Sequence, residues 1–362
     1  MFYKDIKNRL FFLPLRHCFT NLFLCVEMKK FLVVCTALLL LCLPGTAQEY
    51  VRVAEADNAG RSVGLSIIPR FDLNYNGDLT LGDSSLYSLF EGSLSDNFSF
   101  SVCNHWLAAD KESISALYKN TLRSDDVNWL DWAYLTGTFG SFSVSLGKQP
   151  LTFGGFEFDA YDFESYSFLA SSTWNNLQVY QWGAKFDWSN ESENTTLSLQ
   201  ATSSPFGEHP FKSKLFNYAF NWSGEYGIFR NIWSAVAMQT EPGEYFPLIS
   251  LGQQLDLSDN VTIGLDAYNV VGDEEEIVQK GLTMIPSLIW KPCESVQLRG
   301  RLGGEMNFVT KNRDLIVGFD AHWFPIEDSE DLRLHFAAGY HHDERLCQFT
   351  LGVLYYLNFP RR

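Results

Sequence analysis

Between Val296 and Glu305 polar and apolar residues alternate. Gln297, Arg299, Arg301 and Glu305 share one parity, opposite Val296, Leu298, Gly300 and Leu302. On a strand, residues two apart point to the same side, so this places two guanidiniums and a carboxylate on one face. Asp320 with His322, and Arg333 with His335, repeat the device on the next two alternating stretches. Lys185 and Asp266 hold polar parities of earlier ones. Gathered around one water-filled space, such side chains bind and orient polar or charged solutes, and a basic patch faced by acids sets up a transverse field. A second group is crowded into residues 150–176, with Phe153, Gly154, Glu157, Asp159, Asp162 and Glu164 and neither Lys nor Arg. Acidic rings favour cations; acids on a loop also serve plain solubility. Asp273-Glu274-Glu275-Glu276 adds negative charge in a later loop.

Bond-making chemistry has little to stand on. His341-His342-Asp343-Glu344 offers metal ligands or a base, but no second ligand cluster at metal spacing accompanies it. No Gly-x-Ser-x-Gly elbow or phosphate-cradling glycine loop is present, and no cofactor is called for. A formal net charge of -16 excludes nucleic acid as a partner, because that requires a basic face.

The elements that must position these residues are strands. In the last stretch, Phe349, Leu351, Val353, Tyr355, Leu357 and Phe359 oppose Thr350, Gly352, Tyr356 and Asn358, with Leu354 the one apolar intruder. Such a two-faced strand would be an aggregation-prone edge in water, whereas in a membrane barrel it closes the cylinder and faces lipid. The rhythm recurs at 63–76, 86–94, 98–106, 129–136, 142–148, 180–188, 196–202, 215–222, 228–238, 246–256, 261–270, 282–290, 296–305, 315–323 and 332–341. Only 228–238 lacks a clearly polar face. The expectation is an all-β, antiparallel up-and-down transmembrane barrel of about 16 strands, with 14 to 18 compatible. Sixteen strands leave a wet channel rather than a packed interior.

Connections support that reading. Short turns near 96, 139, 191, 225, 259, 293 and 328 alternate with longer loops at 107–127, 150–176, 203–213 and 271–280, as in barrels with short periplasmic turns and long external loops. Trp188, Trp222, Trp290 and Trp323 end strands just before short turns, which suits an interfacial aromatic girdle.

The N-terminus carries an export signal. Lys29-Lys30 precede an apolar run, Phe31 to Leu43, and small residues ending at Ala47. Residues 28–47 read as a cleaved signal peptide starting at Met28, residues 1–27 as a misread upstream extension, and 48–362 as the barrel. Removing 1–47 leaves 21 basic and 41 acidic residues, and takes four of seven cysteines with it. Cys103, Cys293 and Cys347 are too scattered to read as a disulfide framework or metal site.

Gly147-Lys148-Gln149 ends a strand, and Phe153-Gly154 follows Pro150 by three residues. This resembles the Gly-Arg/Lys … Pro-Phe-Gly element of the phosphate-selective porin O/P-like family. The resemblance implies a 16-stranded trimeric outer-membrane porin whose third loop, here 150–176, folds inward to narrow the pore. It departs from the pattern at Thr152, where the family has proline. Phosphate selectivity is not implied, because the basic residues that family places in loop three are missing from 150–176. The expected function is passive diffusion of small hydrophilic solutes or ions through the outer membrane, with lipid outside, a homotrimer on the resemblance alone, and a weak cation preference. The rival is a structural or adhesive barrel with an occluded lumen; an outer-membrane hydrolase is a third. Lys148 sits on the lipid-facing parity of Phe142, Val144 and Leu146, which a bulge or snorkelling at the rim would resolve.

Overall fold

The computed structural model describes residues 62–108, 130–159, 162–207, 212–269, 281–308, 311, 313–342 and 345–359. The proposed extension and signal peptide, the loop at 107–127 beyond Ala108, the acidic run at 273–276, and Asp343 and Glu344 lie outside these residues.

The chain is a closed antiparallel β-barrel. Eighteen segments pair in sequence order: β1 (Ser62–Tyr75), β2 (Leu79–Thr80), β3 (Ser85–Ser95), β4 (Phe98–Ala108), β5 (Leu130–Phe139), β6 (Phe142–Pro150), β7 (Tyr180–Ser189), β8 (Thr195–Ser203), β9 (Phe216–Tyr226), β10 (Phe229–Glu241), β11 (Glu244–Ser258), β12 (Val261–Tyr268), β13 (Gly281–Cys293), β14 (Val296–Asn307), β15 (Arg313–Trp323), β16 (Leu332–His341), β17 (Leu346–Tyr355) and β18 (Leu357–Phe359). Sixteen are long; β2 is a two-residue piece and β18 prolongs β17 past Tyr356. Closure is made by β1, which pairs with β3 on one side and with β17 and β18 on the other, for instance Leu73 opposite Leu351 and Ser66 opposite Asn358. No edge is left open, which satisfies backbone groups where no water can. Among the described residues no helix is long and apolar enough to cross a membrane.

Burial is inverted relative to a soluble protein. Leu146, Leu199, Ile249, Leu288, Phe319 and Phe336 stand outward and exposed, Leu199 at 58% and Ile249 at 57%. The intervening positions turn polar groups inward and bury them, as with Ser198 and Gln200 around Leu199 and Ser250 beside Ile249. A continuous outer coat of large apolar side chains is stable only against another apolar medium. Trp290 and Trp323 are exposed on that coat, and Trp222 packs edge to face on Trp233 with centroids 5.1 Å apart.

Short and long connections fall on opposite ends: 96–97, 140–141, 190–194, 227–228, 259–260, 294–295 and 324–331 at one, the longer ones at the other. Two connections on the long-loop end are also short, 342–345 and the Pro242-Gly243 turn, with Gly243 at φ 89°.

Candidate functional site

The long connection between β6 and β7 folds into the lumen. It begins with Gly154 and Gly155 at φ 74° and 87°, a left-handed pair that reverses the chain just after Phe153. Short 3-10 turns at Glu157–Asp159, Asp162–Glu164 and Ser167–Leu169 follow, then a helical turn at Ser172–Asn176 in which the Ser171 hydroxyl accepts the N–H of Trp174. A loop buried in a wet barrel must have its backbone groups satisfied by the wall, and the inward parity of the strands supplies the partners.

Carboxylates of the wall accept its amides. Asp266 takes the N–H of Phe156 and of Glu157 at 2.8 and 3.0 Å. Glu305 takes the N–H and hydroxyl of Ser172 at 2.9 and 2.5 Å. Asp83 takes the N–H of Ser167 at 3.1 Å. Donors of the wall reach its carbonyls: Arg70 to Phe163 and Ser165 at 3.0 and 2.6 Å, Arg301 to Leu169 at 3.0 Å, and Ser234 to Phe153. Gln200 does both, accepting from Thr152 and donating to Pro150. His341, read from sequence as part of an external cluster, meets the Phe168 carbonyl at 2.6 Å.

Apolar loop residues find apolar patches inside. Phe153 packs with Val236, Met238, Phe246, Leu248 and Ile285, and Phe163 with Ile68, Tyr87, Trp132 and Leu354. This explains two irregularities of the pattern. The stretch 228–238 lacks a polar face because Val236 and Met238 lie under the loop, and Leu354 intrudes on a polar parity because Phe163 covers it. Leu169 enters a recess left by paired Gly318 and Gly339, where a Cβ on either would come within 2.8 Å of its Cδ2.

The centre of the clamp is Tyr166, which is buried. Its hydroxyl meets His322 Nε2 at 3.0 Å, its ring lies 5.1 Å from the Arg70 guanidinium, and its centroid is 5.4 Å from that of His335. Burial holds the phenol above its ordinary range, so it remains neutral. Around it run two chains, each an arginine–aspartate ion pair extended to a histidine ring: Arg70 with Asp72 at 2.7 Å and Asp72 with His335 at 2.8 Å, then Arg299 with Asp320 at 2.9 Å and Asp320 with His322 at 3.1 Å.

The residues singled out in the sequence therefore divide. Arg299 and Arg301 line a small cavity between loop and wall, together with Glu157, Glu164, Tyr166, Phe156 and Trp174. Asp266, Asp320 and His335 are buried anchors rather than water-facing walls. Lys185 stays inside, 3.1 Å from Asp187. Of the loop acids, Glu157 binds Ser171 and Tyr268 and lies 3.8 Å from Arg301, Glu164 accepts from Tyr356 at 2.5 Å, and Asp159 is exposed. Asp162 falls in the second 3-10 turn. Lys148 needs no bulge: its pairing with Ala133 and Trp182 is continuous, and its ammonium bends to the Leu130 carbonyl at 2.5 Å beside Gly147 at φ 137°. Arg70 was not singled out, although an arginine two residues before Asp72 on one strand face is a legible pair.

No protein-family model matches the chain, and no curated protein matches it. Solved structures do. A variant of the Rhodopseudomonas blastica porin aligns with a TM-score of 0.59 at 14% identity, covering 82% of this chain and 100% of its own. The Acinetobacter baumannii outer membrane channel DcaP aligns at 0.56 with 14% identity, covering 84% and 99%. A loop-deleted OmpT, an outer membrane protein of Vibrio cholerae, aligns at 0.55 with 11% identity, covering 82% and 99%. What these likenesses establish is the architecture, a 16-stranded barrel of the kind built by bacterial outer-membrane porins.

Proposed function

We propose that this chain is an outer-membrane porin through which small hydrophilic solutes or ions diffuse passively, at a passage narrowed by residues 150–176. The observation that carries the reading is the inverted burial: an exposed apolar coat outside, a polar lining and a polar-anchored loop within. Solutes would pass where Arg299 and Arg301 on β14 face Glu157 and Glu164 on the loop. Opposite charges across a narrow gap orient dipolar solutes. Asp320 holds Arg299, and Arg301 and Glu157 lie against each other, so the exposed Asp159 of a loop without Lys or Arg tips the balance toward a weak preference for cations. Export through a signal peptide at 28–47, with 48–362 as the mature barrel, belongs to the same reading. So does a homotrimer of the phosphate-selective porin O/P-like kind, which the Gly147-Lys148-Gln149 and Phe153-Gly154 elements support.

The rival, a barrel with an occluded lumen, is favoured by the spread of the loop's contacts from β1 through β8, β10, β12 and β14 to β16. Planar-bilayer recording separates the two. Stable ohmic steps with a reversal potential of cationic sign support the porin, silence supports the rival, and an anionic reversal potential overturns the proposed preference.

A further inference from the structure

The outer coat is not evenly filled. Across β6 to β11 it opens a groove of about 800 Å³. The strand registers set Ala184 beside Ala201, Ala237 beside Tyr218, and Ala235 beside Phe220. Four alanines therefore form a floor where the surrounding wall carries large side chains. Phe186, Leu199, Phe220 and Ile249 rise around them, each at least 40% exposed. All of these hold the outward parity, while Gln200, Val236 and Leu248 between them are buried with their side chains turned into the barrel. The height of the groove is fixed by its neighbours. Two residues nearer the short turns lie Trp188, Trp222 and Trp233, and two residues nearer the long loops lie Trp182, Phe216 and Tyr245. Aromatic rows mark the membrane interfaces, so a depression between two of them falls within the hydrocarbon band. At the upper rim Gln239 donates to the Tyr245 hydroxyl at 3.0 Å. That leaves the phenol of Tyr245, 44% exposed, its own proton to give to a further acceptor.

We propose that this groove is a binding site for one acyl chain of a membrane glycerolipid, whose ester carbonyl accepts the Tyr245 hydroxyl. The groove is continuous with the lipid-facing coat, and left empty in hydrocarbon its lining would forfeit dispersion contacts. Six strands and two outward residues per strand make a trough of roughly 25 Å by 7 Å, from a strand spacing of about 4.8 Å and a rise of about 3.4 Å per residue. One leaflet contributes about 15 Å, half of the hydrocarbon core, so a single chain lies within that length. A second copy of this barrel is a poorer occupant. The trough offers on the order of 200 Å², against roughly 800 Å² per partner in a standard protein interface. No outward residue of the groove is charged, so recognition rests on the shape of the chain rather than on the headgroup.

The test uses the full mature chain in vesicles of phosphatidylethanolamine and phosphatidylglycerol, with a trace of phosphatidylcholine carrying a photoreactive diazirine on one acyl chain. It needs no conduction, so its outcome is separate from that of the porin reading. After illumination the adducts are mapped by digestion and mass spectrometry. They are expected to gather on the groove residues of β7 to β11, several-fold above Leu288, Val317 and Phe319, which are comparably exposed on β13 and β15. Ala201→Phe with Ala235→Phe fills the floor and should bring labelling there down to the level of the rest of the coat. Tyr245→Phe keeps the trough, removes the donor and should lower the enrichment in part. Should the double variant fail to fold, Ala235→Leu alone decides, and it too should reduce the labelling. Adducts spread evenly over the coat, or undiminished in a folded filled variant, would overturn the proposal. So would Ala235→Cys forming a disulfide-linked pair of chains that the wild type does not form, since a second copy would then cover the groove. No labelling anywhere on the coat would overturn it together with the lipid-facing reading of the barrel.

Discussion

Asp266 Oδ1 accepts the backbone N–H of Phe156 at 2.8 Å, which pins the start of the inward loop to the middle of β12. Its other oxygen holds the next amide, that of Glu157. A carboxylate placed on the pore-facing parity by sequence thus acts chiefly on backbone. Asp266→Ala removes two hydrogen bonds from loop amides, each contributing about 0.5–1.5 kcal/mol. The barrel should still form, while the loop undocks more often. Single-channel records are expected to show brief excursions to higher conductance that the wild type lacks, and noise-free steps equal to the wild type would contradict the role.

Arg70 ties two loop carbonyls and neutralises Asp72 at once. Arg70→Met leaves Asp72 buried with His335 alone, and breaking a buried pair from one side costs roughly 3–5 kcal/mol. Heat-modifiable electrophoresis should show the variant unfolding at clearly lower temperature. Arg70→Met combined with Asp72→Leu should recover much of that loss, since no unpaired charge remains. A double variant as weak as the single one would show that the pair matters only through the loop carbonyls.

The outer coat makes a prediction about lipid. Leu199, at mid-strand in β8 and 58% exposed, should tolerate arginine badly, by about 2–4 kcal/mol if it lies at the bilayer midplane. Ser198→Asn, one residue away and facing the lumen, should insert into lipid vesicles as the wild type does. Equal folding yields for Leu199→Arg and Ser198→Asn would be incompatible with hydrocarbon on that side.

The glycine recess gives a steric test of loop seating. At Gly339 an added Cβ already meets Leu169 and Phe168 at 2.8 and 2.9 Å. Gly339→Val should displace the Ser167–Leu169 turn and loosen the loop without unfolding the barrel, seen as faster proteolysis within 150–176 in intact vesicles. Unchanged protection would place the recess outside the docking contacts.

The barrel was legible because a strand with lipid on one side and water on the other writes period-two alternation into its residues; every long strand from Ser62 onward was anticipated within a few positions. Reading failed where a third surface intervened. Val236, Met238, Ile68 and Leu354 look like errors of parity until the loop covers them. Likewise Asp266 and Glu305 read as lumen charges, because nothing in their own strands tells that a distant backbone N–H will occupy them. Parity alone puts Arg299 and Arg301 on the inner face, but the partners that restrain them, Asp320 and the Leu169 carbonyl, come from a neighbouring strand and the loop.

The most direct test of a barrel narrowed from within is the unitary conductance of the wild type in planar bilayers beside a variant in which residues 156–174 are replaced by a short Gly-Ser linker. The predicted result is ohmic steps from both, several-fold larger in the variant. Steps of equal or smaller size from a correctly folded variant would contradict it.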